Sequence, residues 1–86
     1  MFTFNLEPVN GQKSFYGKAK IICKDKGEIY LKSYDTEVCK IIPGGVFVRL
    51  WDGYSVTTMR HINAFIDYFH IPGGGKAWWT AQPVEG

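Results

Sequence analysis

The hydrophobic period of this chain changes once, from two to 3.6, across the stretch Trp51–Phe65, and that change restricts the fold more than any other feature. Before it, apolar and polar residues alternate in short runs separated by reversal signals. After it, Met59, Ile62, Ile66 and Phe69 recur at helical spacing, with Phe65 widening the stripe and Arg60, Asn63 and Asp67 opposite. Asp52-Gly53 permits a tight turn into this segment, and Ser55 or Thr57 can cap its first turn by accepting a backbone N–H. Pro72 and Gly73-Gly74-Gly75 end it.

The alternating runs are Phe2–Leu6, Phe15–Lys24, Glu28–Tyr34, Val38–Ile42 and Val46–Trp51. Between them stand Val9-Asn10-Gly11, Asp25-Lys26-Gly27, Asp35-Thr36-Glu37 and Pro43-Gly44-Gly45, each carrying residues that favour chain reversal. A sheet with one apolar face followed by an amphipathic helix buries both by stacking them. The expected fold is α+β: an antiparallel meander of four or five strands with one C-terminal amphipathic helix packed on one face. Residues 1–75 form the domain and residues 76–86 a tail. In that tail the adjacent Trp78 and Trp79 cannot point the same way, so one docks under the helix and the other is an exposed anchor.

A chain of 86 residues has room for one modest core, and 45% hydrophobic and 16% aromatic residues suit a folded domain. A net charge of +2 does not by itself imply nucleic acid. Cys23 and Cys39 lack zinc or redox spacing and read as free thiols of a reducing compartment. With no signal-peptide pattern and no apolar run near the ~20 residues needed to span a bilayer, a cytoplasmic protein with no membrane partner is expected.

Registering the hairpins by matching their apolar faces gives a specific surface. Three-residue loops at Asp25–Gly27 and Asp35–Glu37 and a two-residue turn at Gly44-Gly45 align Lys20, Lys32, Lys40 and Arg49 in one outer row. Tyr30, Phe47, Tyr34 and Trp51 flank it. The inner face then holds Ala19, Ile21, Cys23, Ile29, Leu31, Ser33, Cys39, Ile41, Val46, Val48 and Leu50. Like charges side by side on strands ~4.8 Å apart cost a few tenths of a kcal/mol per pair or more. An uninterrupted cationic row with aromatic neighbours therefore reads as an anion-binding face, or as an ordinary solvated sheet surface. The same register separates Cys23 from Cys39 by a strand, beyond the ~7 Å Cα limit for a disulfide.

No catalytic constellation stands out. Ser55 or Cys39, His61 and Asp52 could be assembled into a triad, but no spacing selects them, and His61 reads first as a structural histidine. His61 and His70 lie ~13 Å apart along a helix, too far to share a metal. Gly73–Gly75 lacks the Gly-Lys-Ser/Thr ending of a phosphate loop and reads as a flexible linker. Arg60, near the helix start, is disfavoured by the helix dipole unless Asp52 or an external anion meets it. No enzyme activity, cofactor or metal is expected.

Three motifs carry a resemblance: Ser14-Phe15-Tyr16-Gly17-Lys18-Ala19, Leu31-x-Ser33-Tyr34-x-Thr36-x-Val38, and Gly53-Tyr54-Ser55-x-Thr57-Thr58-x-Arg60-His61-Ile62-Asn63-x-Phe65. They resemble an uncharacterised family of small proteins from Gram-positive bacteria, their phages and mobile elements. Ala64 departs from the acid of that pattern, and the Trp-Trp tail lies outside it. The resemblance implies a setting, that of a mobile-element accessory protein in a bacterial cytosol. The expected function is therefore non-enzymatic binding of a host protein, as an inhibitor of a nucleic-acid-handling defence system. Single-stranded nucleic acid on the basic-aromatic outer face is the alternative. Arg60, His61, Trp78 and Trp79 are secondary contact candidates, and the protein is a monomer or an edge-strand dimer.

Overall fold

A computed structural model describes residues 1–8 and 15–85, so the turn expected at Val9–Gly11 and the start of the first motif at Ser14 lie outside the described residues. The chain runs β1 (Phe2–Asn5), β2 (Ala19–Cys23), β3 (Ile29–Ser33), β4 (Thr36–Ile42), β5 (Val46–Arg49), α1 (Val56–Tyr68) and α2 (Lys76–Ala81). The five strands form one antiparallel sheet in sequence order, the expected meander. Helix α1 lies over β3, and its buried Met59, Ile62, Phe65 and Ile66 meet Ile21, Leu31, Cys39 and Ile41 in one core.

The helix begins where its chemistry allows. Ser55 is extended and its hydroxyl accepts from the Thr58 amide, satisfying a donor that has no carbonyl one turn back. It ends before Pro72, in a Schellman turn. The Ile71 amide donates to the Ile66 carbonyl (2.8 Å), the His70 amide to that of Asp67 (3.1 Å), and His70 takes the left-handed position at φ +58°.

The first hairpin has the expected register, with Lys20 opposite Lys32 and Ile22 opposite Tyr30. The next two do not. The β3–β4 turn is the two-residue Tyr34-Asp35, since Ser33 pairs with Thr36. A bulge then follows: Lys32 pairs with Glu37 but Leu31 with Cys39, leaving Val38 as the extra residue. Val38 and Cys39 are both buried. The β4–β5 loop uses all of Pro43-Gly44-Gly45, closed by the Gly45 amide donating to Ile42 (3.1 Å), so Ile42 pairs with Val46. That one extra residue turns β5 over, because side chains alternate with period two. Phe47 and Arg49 therefore face inward, in place of Val46, Val48 and Leu50.

The C-terminal segment is part of the same core. Trp79 is fully buried and Trp78 packs beside it, its ring 5.0 Å from that of Phe47. Beyond α2 the Glu85 amide donates to the Arg49 carbonyl (2.9 Å), lying along the edge of β5. Gly73–Gly75 is a corner and not a loose linker: all three take positive φ, and the Gly75 amide donates to the Asn63 side chain (3.1 Å). Cys23 and Cys39 are free thiols on β2 and β4, with β3 between them.

Candidate partner-binding site

The expected row of four cations does not form. Arg49, turned inward with β5, is 6% exposed, and its guanidinium lies 4.5 Å from the Trp79 ring. It donates to the carbonyls of Trp51 (2.9 Å), Trp79 (3.1 Å), Gln82 (3.2 Å) and Gly53 (3.4 Å). Arg49 is thus a staple between β5 and the C-terminal segment, unavailable to a partner. Phe47 goes inward with it. Trp51 also packs against the core, its ring over Gly53, so it does not reach the open outer face. Trp79 is the tryptophan that docks, and Trp78 is half-buried, not a free anchor.

Lys40 stays on the outer face but opposite Tyr30, where Lys32 was expected, and it is neutralised by Glu28 (3.6 Å) and Glu85 (3.5 Å). Tyr30 donates its hydroxyl to Glu28 (2.9 Å), and that hydrogen bond is the first reason the Glu28 carboxyl is held below its ordinary value. Lys24 lies 3.8 Å from the Tyr30 ring centroid and pairs with Glu37 at 2.9 Å. This part of the face interleaves acids with bases, contrary to the uninterrupted cationic row expected.

The opposite end of the sheet differs. Lys20 and Lys32 oppose each other directly across β2 and β3, and Lys18 stands at the entry to β2, its ammonium 5.9 Å from the Tyr34 ring centroid. Among the described residues no carboxylate lies within ion-pair distance of these three lysines or of Arg60. Two clefts open here, each of about 230 Å³. One is lined by Gly17, Lys18, Lys20, Lys32, Tyr34 and Asp35. The other is lined by Phe15, Tyr16, Lys18, Tyr34, Thr57, Arg60 and His61. Lys18 and Tyr34 are shared. Arg60 sits one turn into α1, past the strongest part of the dipole, with its guanidinium 6.0 Å from the Phe15 ring centroid.

His61 forms the floor of the second cleft at 1% exposure. Its Nδ1 shares a 2.8 Å hydrogen bond with the Ser33 hydroxyl, which also meets the Thr58 hydroxyl at 3.1 Å. The Phe15 ring packs edge-on at 4.6 Å and Tyr34 lies 5.7 Å away. Burial, and secondarily the charge of Arg60, lowers the His61 pKa, so the neutral ring is favoured. Among the described residues no group of three or more His, Cys, Asp or Glu side chains could hold a metal, and no helix is long and apolar enough to cross a membrane.

Of the expected site residues, the fold brings Lys20, Lys32, Tyr34, Arg60 and His61 to one end. It sets Tyr30 with Lys40 elsewhere on the face and gathers Phe47, Arg49, Trp51, Trp78 and Trp79 where β5 meets the C-terminal segment. Phe15, Tyr16 and Lys18 were missed because residues 15–18 read as the start of a strand. They form a reversal instead, with the Lys18 amide donating to the Phe15 carbonyl (2.9 Å) and Tyr16 and Gly17 at φ +54° and +75°. The Tyr16-Gly17 pair was the available signal, Gly being the common second residue of such turns.

Sheet, helix and basic-aromatic end together define a small α+β domain: a five-stranded antiparallel meander closed on one face by α1 and the C-terminal Trp79. The chain belongs to the family described as "Family of unknown function (DUF8033)", whose model matches residues 4–81. That span takes in Trp78 and Trp79, which the motif resemblance had left outside the pattern. No curated protein is significantly similar to it, and no solved structure is either.

Proposed function

We propose that this protein is a non-enzymatic binding domain that captures a polyanionic partner at the Lys18–Lys20–Lys32–Arg60 end of the sheet. In the setting the motifs imply, it is an accessory protein of a phage or mobile element, acting in the host cytoplasm as an inhibitor by occupying a host component that handles nucleic acid. The observation that carries this reading is the charge arrangement. Lys24 and Lys40 each have a carboxylate. Among the described lysines and Arg60 without one, Lys26 and Lys76 stand apart in the β2–β3 loop and at the start of α2, whereas Lys18, Lys20, Lys32 and Arg60 gather around two adjoining clefts. Lys20 faces Lys32 across β2–β3, and the Glu37 that faces Lys32 on its other side is engaged by Lys24, so an anionic partner relieves the like-charge pair on binding. The expected host-protein partner is retained in this form: an acidic protein surface is one polyanion that fits, and a nucleic-acid strand is the other.

The test is a titration at low salt of two defined polyanions, a poly-glutamate peptide and a single-stranded oligonucleotide. At least one binds. For an oligonucleotide engaging all four cations, affinity falls roughly 50-fold between 50 and 200 mM salt. Lys20→Glu/Lys32→Glu abolishes binding while its thermal melt stays cooperative. Binding of neither ligand at low salt, or equal binding by the charge-reversed variant, overturns the reading.

A further inference from the structure

Resting on the anion-binding reading of this end of the molecule, we infer that its ligand is single-stranded nucleic acid, with one base held at Tyr34 and the adjoining phosphates on Lys18, Lys20 and Lys32. The two clefts have complementary chemistry. One sets Lys18, Lys20 and Lys32 around a single carboxylate, Asp35, and the other adds the rings of Phe15, Tyr16, Tyr34 and His61 to Lys18 and Arg60. Each, at about 230 Å³, is below the ~300 Å³ at which a pocket encloses a whole drug-sized ligand. A single ligand that satisfies both must straddle them, offering an anion to one side of Tyr34 and a flat apolar group to the other. A nucleotide in a strand has that alternation of phosphate and ring, and single-strand binders pair basic grooves with exposed aromatic platforms. An acidic peptide can pair with the cations of both clefts but offers no flat ring to lay against Tyr34.

Backbone conformation is a second, independent observation. Among the described residues four non-glycine positions have positive φ, and two of them, Tyr16 (+54°) and Tyr34 (+55°), flank the aromatic cleft. Both occupy tight turns where Gly or Asn would be relaxed. Tyrosine is retained in a strained conformation on each side of the cleft, and such strain clusters where a side chain is needed for more than folding. Tyr34 is 50% exposed, so burial of its ring is not what offsets that strain.

Fluorescence anisotropy on the full chain with a short single-stranded oligonucleotide, an abasic oligonucleotide of equal phosphate count, and poly-glutamate tests this. The base-bearing strand binds at least tenfold more tightly than the abasic one. Tyr34→Asn, whose side chain tolerates the left-handed backbone, removes that preference and weakens base-bearing binding roughly tenfold or more, while Tyr34→Phe retains it. Equal affinity for base-bearing and abasic strands, or tighter binding of poly-glutamate, overturns the nucleic-acid assignment and leaves the anion-binding reading standing. Failure of all three ligands to bind overturns both. Circular dichroism of Tyr34→Asn separates loss of the ring from loss of the fold.

Discussion

Arg49 is buried against Trp79 and, among the described residues, faces no carboxylate; backbone carbonyls from Trp51, Gly53, Trp79 and Gln82 take its N–H groups. A flat, five-donor fork can reach several carbonyls at once, which an ammonium cannot. Arg49→Met keeps much of the volume but strands those oxygens, and the expected loss is about 3 kcal/mol in a urea unfolding titration. A loss within 0.5 kcal/mol would mean the carbonyls are solvated without it. His61 supplies the pH dependence. Burial first, then Arg60, holds its pKa below the ordinary 6.5, and the groups around it are Ser33, Thr58, Phe15 and Tyr34. The unfolded chain therefore takes up the proton first as pH falls. The contribution is complete above pH 6.5 and is lost progressively below it. Thermal melts at pH 7.5 and 5.5 should show the wild type losing stability, and His61→Gln should lose less over the same interval.

At the scale of elements, the β3–β4 turn trades stability for a ring. Tyr34 holds φ +55° at a position that suits Asn, so Tyr34→Asn is expected to raise the urea midpoint, by about 1 kcal/mol in stability. A lowered midpoint would show that the ring's contacts with Lys18 and His61 outweigh the strain. This turn also marks where sequence reading succeeded and stopped. The β2–β3 hairpin was legible because its three-residue loop and its alternation on both strands agree on one register. So was α1, whose cap at Ser55 and apolar stripe coincide. Strand β5 was not legible. Pro43-Gly44-Gly45 can close a hairpin with two or three residues, and Val46-Phe47-Val48 is apolar on both faces. Nothing local decides which face is buried; the core decides, by admitting Phe47 and giving Arg49 its carbonyls. The bulge at Val38 was hidden in the same way, by two successive apolar residues that are both buried. The binding end inherits this division: Lys20 opposite Lys32 was readable, whereas Phe15, Tyr16 and Lys18 reach it through a reversal inside an apparent strand.

For the whole molecule, the C-terminal segment decides whether the sheet and α1 are enough. Residues 76–86 look like a tail because α2 is a six-residue helix after three glycines, too short to announce itself by periodicity. Yet Trp79 is among the largest fully buried side chains, and its indole N–H donates to the Gly53 carbonyl (2.8 Å) at the strand-to-helix junction. Two of the four carbonyls around Arg49 come from the segment, and Glu85 supplies one of the two carboxylates on Lys40. Removing residues 76–86 therefore empties a tryptophan-sized hole, costing about 3–5 kcal/mol. It also leaves Arg49 half-satisfied and uncovers the edge of β5. A domain of this length has roughly 4–13 kcal/mol of stability in all. The fragment 1–75 is expected to be largely unfolded at 25 °C by near-ultraviolet circular dichroism, and a peptide of residues 76–86 added in trans should restore the signal. A cooperative melt of the fragment alone would show that sheet and α1 fold without the segment. Its basic end, whose clefts no residue of the segment lines, should then still bind the polyanion.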